Sequence, residues 1–213
     1  MRAPRATAHV TLRQSEVDWR KAYADQVLDP ARWIASAQDL LIMSRLVEND
    51  LRSRWRSFAT SSDNTDPTTI HSVYLMLIGF AVENLLKSRI VKFDRKIWRA
   101  KILEQGRLPN ELKDKHDLVA LSHRARLRLV RDDEATLRRL TRYAQWAGRY
   151  PVPSHSAKST GIEVFENGTE GLVDFQMESD LQELSRFINA LASKFRISIN
   201  LGTVGAPAAK GVI

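Results

Sequence analysis

The stretch from Val73 to Val91, VYLMLIGFAVENLLKSRIV, is the most apolar in the chain and constrains its fold more than any other. Its Leu, Met, Glu and Lys content favours a helix over a strand. At about 100° per residue the apolar positions run almost all the way round, the pattern of a helix buried on most sides. Yet Glu83, Asn84 and Lys87 share one arc of that wheel, interleaved with Val73, Met76, Phe80 and Val91. An unpaired buried charge costs several kcal/mol, so these groups must find partners on neighbouring elements or keep a route to water.

The rest of the composition sets bounds. A chain of 213 residues with 43% hydrophobic side chains suits one domain with a single core. The absence of Cys excludes a disulfide scaffold and thiolate metal sites, and suits a reducing cytoplasm. The uninterrupted apolar run from Val73 to Val82 falls short of the roughly 20 residues a bilayer requires, so no membrane span is expected. Met1 to Ser15 carries Arg2, Arg5 and Arg13 but no apolar core, and is read as a frayed terminus rather than a secretory signal. The net charge of +8 favours acidic partners, nucleic acid first. Arg124, Arg126, Arg128 and Arg131 form one cluster, and Arg138, Arg139 and Arg142 another. Guanidinium groups suit bidentate phosphate contact, but the same clusters also fit solvated helix faces carrying Asp and Glu partners.

Taken in order, residues 1–28 read as a flexible or short-helical segment, with a helix around Glu16 to Gln26. Asp29-Pro30 is a helix start, and Trp33, Ala37, Leu40, Ser44, Val47, Leu51 and Trp55 then trace a long amphipathic seam. Asp66-Pro67 repeats the start signal before the apolar helix, whose basic end runs on to Lys101 before Gly106 and Pro109 break the chain. A third helix carries Leu118, Leu121 and Ala125 inward, with His116 as its cap. A fourth opens on Asp132, Asp133 and Glu134 and carries Leu137, Leu140, Ala144 and Ala147. Ile162 to Phe165 and Leu172 to Phe175 flank Asn167-Gly168 as a small β-hairpin. Ser179 and Gln182 form a capping box for a last helix with the seam Leu181, Leu184, Ile188, Leu191 and Phe195. The expected fold is all-α: an antiparallel up-down bundle of four to five main helices over residues 29–196, with a hairpin inserted before the last, and residues 197–213 as a mobile tail.

No phosphate-binding loop, dinucleotide fingerprint, zinc-protease motif or nucleophile elbow is present. The histidines at 9, 71, 116, 123 and 155 lack ligand neighbours at helical spacing, so neither a metal site nor a cofactor is expected. Three stretches remain: Phe80-Ala-Val-Glu-Asn-Leu-Leu-Lys87, His116-Asp-Leu-Val-Ala-Leu121 and Trp146-Ala-Gly-Arg-Tyr-Pro-Val-Pro153. In this order, on or beside successive helices, they resemble the HEPN family (higher eukaryotes and prokaryotes nucleotide-binding domains) over roughly Pro30 to Pro153. The resemblance implies a helical bundle, often a homodimer, that handles RNA or nucleotides. It also implies a role in toxin–antitoxin or phage-defence systems, beside an antitoxin or nucleotidyltransferase partner.

Catalytic members are metal-independent endoribonucleases with an Arg and a His four to six residues apart. His helps deprotonate the ribose 2′-hydroxyl, and Arg stabilises charge on the phosphate. Here the match is Arg149 to His155, but Pro151 and Pro153 between them forbid a regular helix, and Tyr150 stands where the family carries a polar residue. That context favours binding over catalysis. Two uses for the polar groups follow. In one, Glu83, Asn84 and Asp117 belong to a structural ionic network in which Glu83 pairs with Arg149 or His116, and Lys87 sits one turn along. In the other, Lys87, His116 and Arg149 line a phosphate pocket with Tyr150 or Trp146 as a stacking face. Three functions stand: an RNA- or nucleotide-binding bundle, a metal-independent ribonuclease, and an interaction module that dimerises through the long amphipathic helix.

Overall fold

Helix boundaries follow the punctuation of the chain. The computed structural model describes residues 6–60, 68–113, 116–147, 162–164, 170–172, 178–195 and 197. Asp29 separates α1 (Ala6–Val27) from α2 (Pro30–Thr60): its Oδ1 accepts the Ala31 N–H at 3.0 Å, and Pro30 has no amide hydrogen to leave unsatisfied in the first turn. The apolar segment forms α3 (Thr68–Phe93). Leu75, Ala81, Val82, Leu85, Leu86 and Val91 on it are wholly buried, and Tyr74, Ile78 and Ile90 nearly so.

α2 and α3 make the most extensive helix pair and run antiparallel, with Trp55 beside His71, Glu48 beside Tyr74 and Trp33 beside Lys87. The predicted α2 seam faces this contact: Ala37, Ser44 and Leu51 are buried, and Trp33, Leu40, Val47 and Trp55 are packed against the core. By length and composition Ile70–Phe93 is apolar enough to cross a membrane, a point the ten-residue run alone understates. Within this fold, 61% of its most apolar window is buried among the other helices.

The apolar helix does not continue to Lys101. Asp94, at φ −112° and ψ 37°, breaks it, and α4 (Arg95–Gln105) leaves in a new direction until Gly106, at φ 64°, closes its last turn by donating to Ile102 O at 2.8 Å. α4 lies antiparallel to α1. Arg99 pairs with Asp25, Arg95 Nη1 donates to Leu28 O at 2.7 Å, and Arg20 Nη1 reaches the end-of-helix carbonyls of Leu103 and Glu104 at 3.3 and 3.2 Å. Ala24 and Leu28 are wholly buried. The helix expected around Glu16 to Gln26 is therefore longer, and its C-terminal half shares the core. Contacts between residues more than 60 positions apart leave no trace in local periodicity.

After the single turn α5 (Asn110–Lys113) comes α6 (Leu118–Arg124), then α7 (Arg131–Arg142), which widens into a π-helical turn over Tyr143–Ala147. The expected inward faces hold: Leu118, Leu121, Ala125, Leu137, Leu140 and Ala144 are buried, and Ala147 packs against the core. The expected cap does not. Asp117, not His116, caps α6, its Oδ1 accepting the Ala120 N–H at 3.0 Å. His116, at φ 63°, is turned elsewhere.

At the other end of α6, Arg126 N–H donates to His123 O at 2.9 Å and Leu127 N–H to Ser122 O at 3.1 Å. This is a Schellman closure whose left-handed position, usually glycine, holds Arg126 at φ 54°. A left-handed non-glycine residue costs roughly 1–2 kcal/mol.

Ile162–Val164 (β1) and Glu170–Leu172 (β2) pair antiparallel, Ile162 opposite Leu172. The connection between them, the loop after Ala147 and the chain beyond Ile197 lie outside the described residues. α8 (Glu178–Phe195) starts one residue before Ser179, which therefore sits in its first turn. Leu181, Leu184, Ile188 and Leu191 are buried and Phe195 partly so.

α3 and α7 cross closely at Gly79. A Cβ there would lie 3.2 Å from both Ala144 Cβ and Leu140 O. Gly79→Val is expected to lower stability by about 1–3 kcal/mol through overpacking. Urea denaturation checks this, and an unchanged midpoint would mean the crossing is looser than described.

Candidate functional site

The polar arc of α3 meets α2 and the start of α6. Glu83 and Lys87 lie one turn apart, 5% and 6% exposed, and Lys87 Nζ donates to Glu83 Oε1 at 2.5 Å. The second carboxylate oxygen, Oε2, lies 2.7 Å from His116 Nδ1. An ionised carboxylate can only accept, so Nδ1 carries the hydrogen and Nε2 remains the ring's other functional atom.

Aromatic rings fix the two basic groups. Lys87 Nζ sits 5.4 Å from the centroid of the Trp33 ring, and Trp33 Nε1 donates to Val27 O at 2.8 Å, which locks the indole in place. The His116 ring lies 5.3 Å from that of Phe80, one turn before Glu83. With its side chain 35% exposed, His116 is the part of the cluster that reaches the surface.

Local structure explains why His116 arrives there. Its left-handed backbone turns the chain immediately before the Asp117 cap. Leu118 N–H donates to Thr141 Oγ1 at 3.0 Å, and Thr141 donates in turn to Leu137 O at 2.8 Å. The first turn of α6 is thus tied to α7 on one side, while His116 is tied to α3 on the other. Arg89 Nε closes the far end by donating to Ala125 O at 2.8 Å.

Of the residues singled out in the sequence, Glu83, Lys87 and His116 are in direct contact. Asp117 is adjacent but serves as a cap, and Asn84 is half-buried on the neighbouring position of α3. Arg149, Tyr150 and His155 lie outside the described residues, as does the side chain of Trp146. Lys87 is neutralised by Glu83 and screened by Trp33, so of the three contacting groups only His116 presents itself to a ligand. Trp33 belongs to the site although its spacing marks it only as a seam residue; its contact with Lys87 crosses between helices and has no sequence signal.

The arginine clusters divide. Arg138 pairs with Glu134 at 2.7 Å on its own helix and Arg126 with Asp94 at 3.1 Å across helices, whereas Arg128 and Arg131 are simply exposed. Comparison of the chain with protein-family models, curated proteins and solved structures finds no match.

Glu83 is the only carboxylate touching Lys87 among the described residues. Removing it strands a buried ammonium, so Glu83→Ala is expected to cost about 3–5 kcal/mol. A Glu83→Leu, Lys87→Met double variant removes both charges and should recover most of that loss. Chemical denaturation of the three proteins checks the pattern, and a Glu83→Ala midpoint equal to wild type would rule out a buried pair.

Proposed function

We propose that this chain is a HEPN-like helical domain of the cytoplasm that binds RNA or nucleotides rather than turning them over. In this reading the helices form an up-down bundle with the β1–β2 hairpin inserted before α8. It would act within a toxin–antitoxin or phage-defence system beside an antitoxin or nucleotidyltransferase partner.

One observation carries the reading. Two of the three motifs on which the resemblance rests meet in space, Glu83 and Lys87 from one and His116 from the other. A carboxylate that fixes an imidazole by Nδ1 leaves Nε2 available to a phosphate or ribose oxygen. The net charge of +8 supplies long-range attraction for an anionic ligand. Arg149 and Tyr150 would complete the pocket from the third motif.

Two other readings remain in play. The metal-independent endoribonuclease would use Arg149 and His155, with the two intervening prolines against it. The dimerising module is favoured by one specific feature: Ile42, Met43 and Leu46 are 40–52% exposed on the outer face of α2, away from its core seam.

Binding of a labelled single-stranded RNA separates the three. Two or three phosphate contacts predict affinity falling about tenfold between 50 and 200 mM salt. His116→Ala should weaken that binding without unfolding the protein. RNA cleavage in EDTA, lost in Arg149→Ala and in His155→Ala, would instead favour the ribonuclease. A chain that ignores RNA but sediments as a dimer, and as a monomer after Met43→Glu, would be the interaction module.

A further inference from the structure

A second surface, at the opposite end of α6 from His116, carries chemistry that the Glu83 cluster does not use. Phe93, the last residue of α3, is 44% exposed. The Arg89 guanidinium lies 4.7 Å from its ring centroid and that of Arg126 5.4 Å. Arg89 is itself held in place, its Cζ 5.1 Å from the Phe195 ring and its Nε bonded to Ala125 O. Lys92 and Lys96 flank Phe93 in sequence and are exposed. Asp94, the carboxylate that follows Phe93 in the chain, is taken by Arg126 Nη2 at 3.1 Å.

The backbone gives a separate reason to single out Arg126. At the end of α4 the left-handed closing position holds Gly106, the unstrained choice. At the end of α6 the equivalent position holds Arg126. A residue held where glycine would be more comfortable, with its side chain 63% exposed beside an exposed phenyl ring, has a use beyond closing a helix.

We propose that Phe93 and Arg126, flanked by Lys92 and Lys96, form a docking surface for single-stranded nucleic acid. The lysines track the phosphates, and an unpaired base stacks on the platform of phenyl and guanidinium planes. A duplex hides its base faces, so the platform discriminates against paired strands. Four cations, Arg89, Lys92, Lys96 and Arg126, with the neighbouring Asp94 already paired, give the sign of the partner. The surface shares a ligand class with the Glu83 cluster but not a residue, and it rests on the nucleic-acid reading only for that class.

The test is fluorescence anisotropy of the full chain with a labelled 12-nucleotide single-stranded RNA and with the same sequence as a duplex. Wild type, Phe93→Ala, Arg126→Gly and His116→Ala are compared. Phe93→Ala and Arg126→Gly should each weaken single-strand binding about tenfold or more, with the duplex little affected. Arg126→Gly should melt near the wild-type temperature, because relief of the left-handed strain offsets loss of the Asp94 pair.

Wild-type affinity in both variants overturns the proposal. So does an equal loss for single strand and duplex, which would mark a plain charged patch. Phe93-dependent binding of phosphatidylserine vesicles in place of RNA would assign the surface to a membrane and overturn it too. Loss in His116→Ala alone keeps the pocket reading and refutes this one. A wild-type chain that binds no RNA refutes both.

Discussion

Burying a carboxylate and an ammonium in the most apolar helix of the chain is the constraint to which the rest of the structure answers. Glu83 and Lys87 neutralise one another within a single turn, but a carboxylate has more acceptor sites than one ammonium fills. The remaining oxygen draws in His116 from the turn that precedes α6. A cluster of this kind is worth little net stability when complete and costs much when broken. Its effect is to specify which part of α3 the start of α6 must face.

How much of this was legible follows from the range of each interaction. The α2 and α8 seams and the inward faces of α6 and α7 obey the helical period, because burial of a stripe is a local pattern. The polar arc of α3 was legible for the same reason, as was its need of partners. The sequence offers His116 both as a possible partner and as a helix cap. It fills the first role only, because Asp117 has the shorter and better placed acceptor for the first turn. The Asp94 break was missed because Lys and Arg on both sides of it are good helix formers. The attachment of α1 was missed because its clamps to α4 span most of 100 residues of chain.

The Asp94 break matters for topology. Read as one helix to Lys101, the apolar segment would place the next helix antiparallel to it. With α4 interposed the sense changes: His116 meets Glu83, Arg89 meets Ala125, and Arg126 meets Asp94, so contacts climb α3 and α6 in the same direction. Three ties along two parallel helices fix their offset, since each pairs one named donor with one named acceptor.

α6 itself has only seven residues, too few to hold together by its own hydrogen bonds. It is bracketed instead by the two left-handed non-glycine residues among the described positions, His116 and Arg126. In both cases the strained residue sends a nitrogenous side chain to an acidic group on or just beyond α3, Glu83 in the interior and Asp94 at the surface. The strain at each end, roughly 1–2 kcal/mol, is of the size a hydrogen bond to a charged group can offset. Glycine at either position would relax the backbone and lose the contact. A short helix held at both ends in this way sets two nitrogen-bearing side chains on a rigid frame, half-buried His116 beside a buried ionic cluster and exposed Arg126 beside an open aromatic ring. That rigidity, rather than charge alone, separates these two groups from arginines such as Arg54 and Arg138, each of which pairs with a carboxylate one turn away on its own helix.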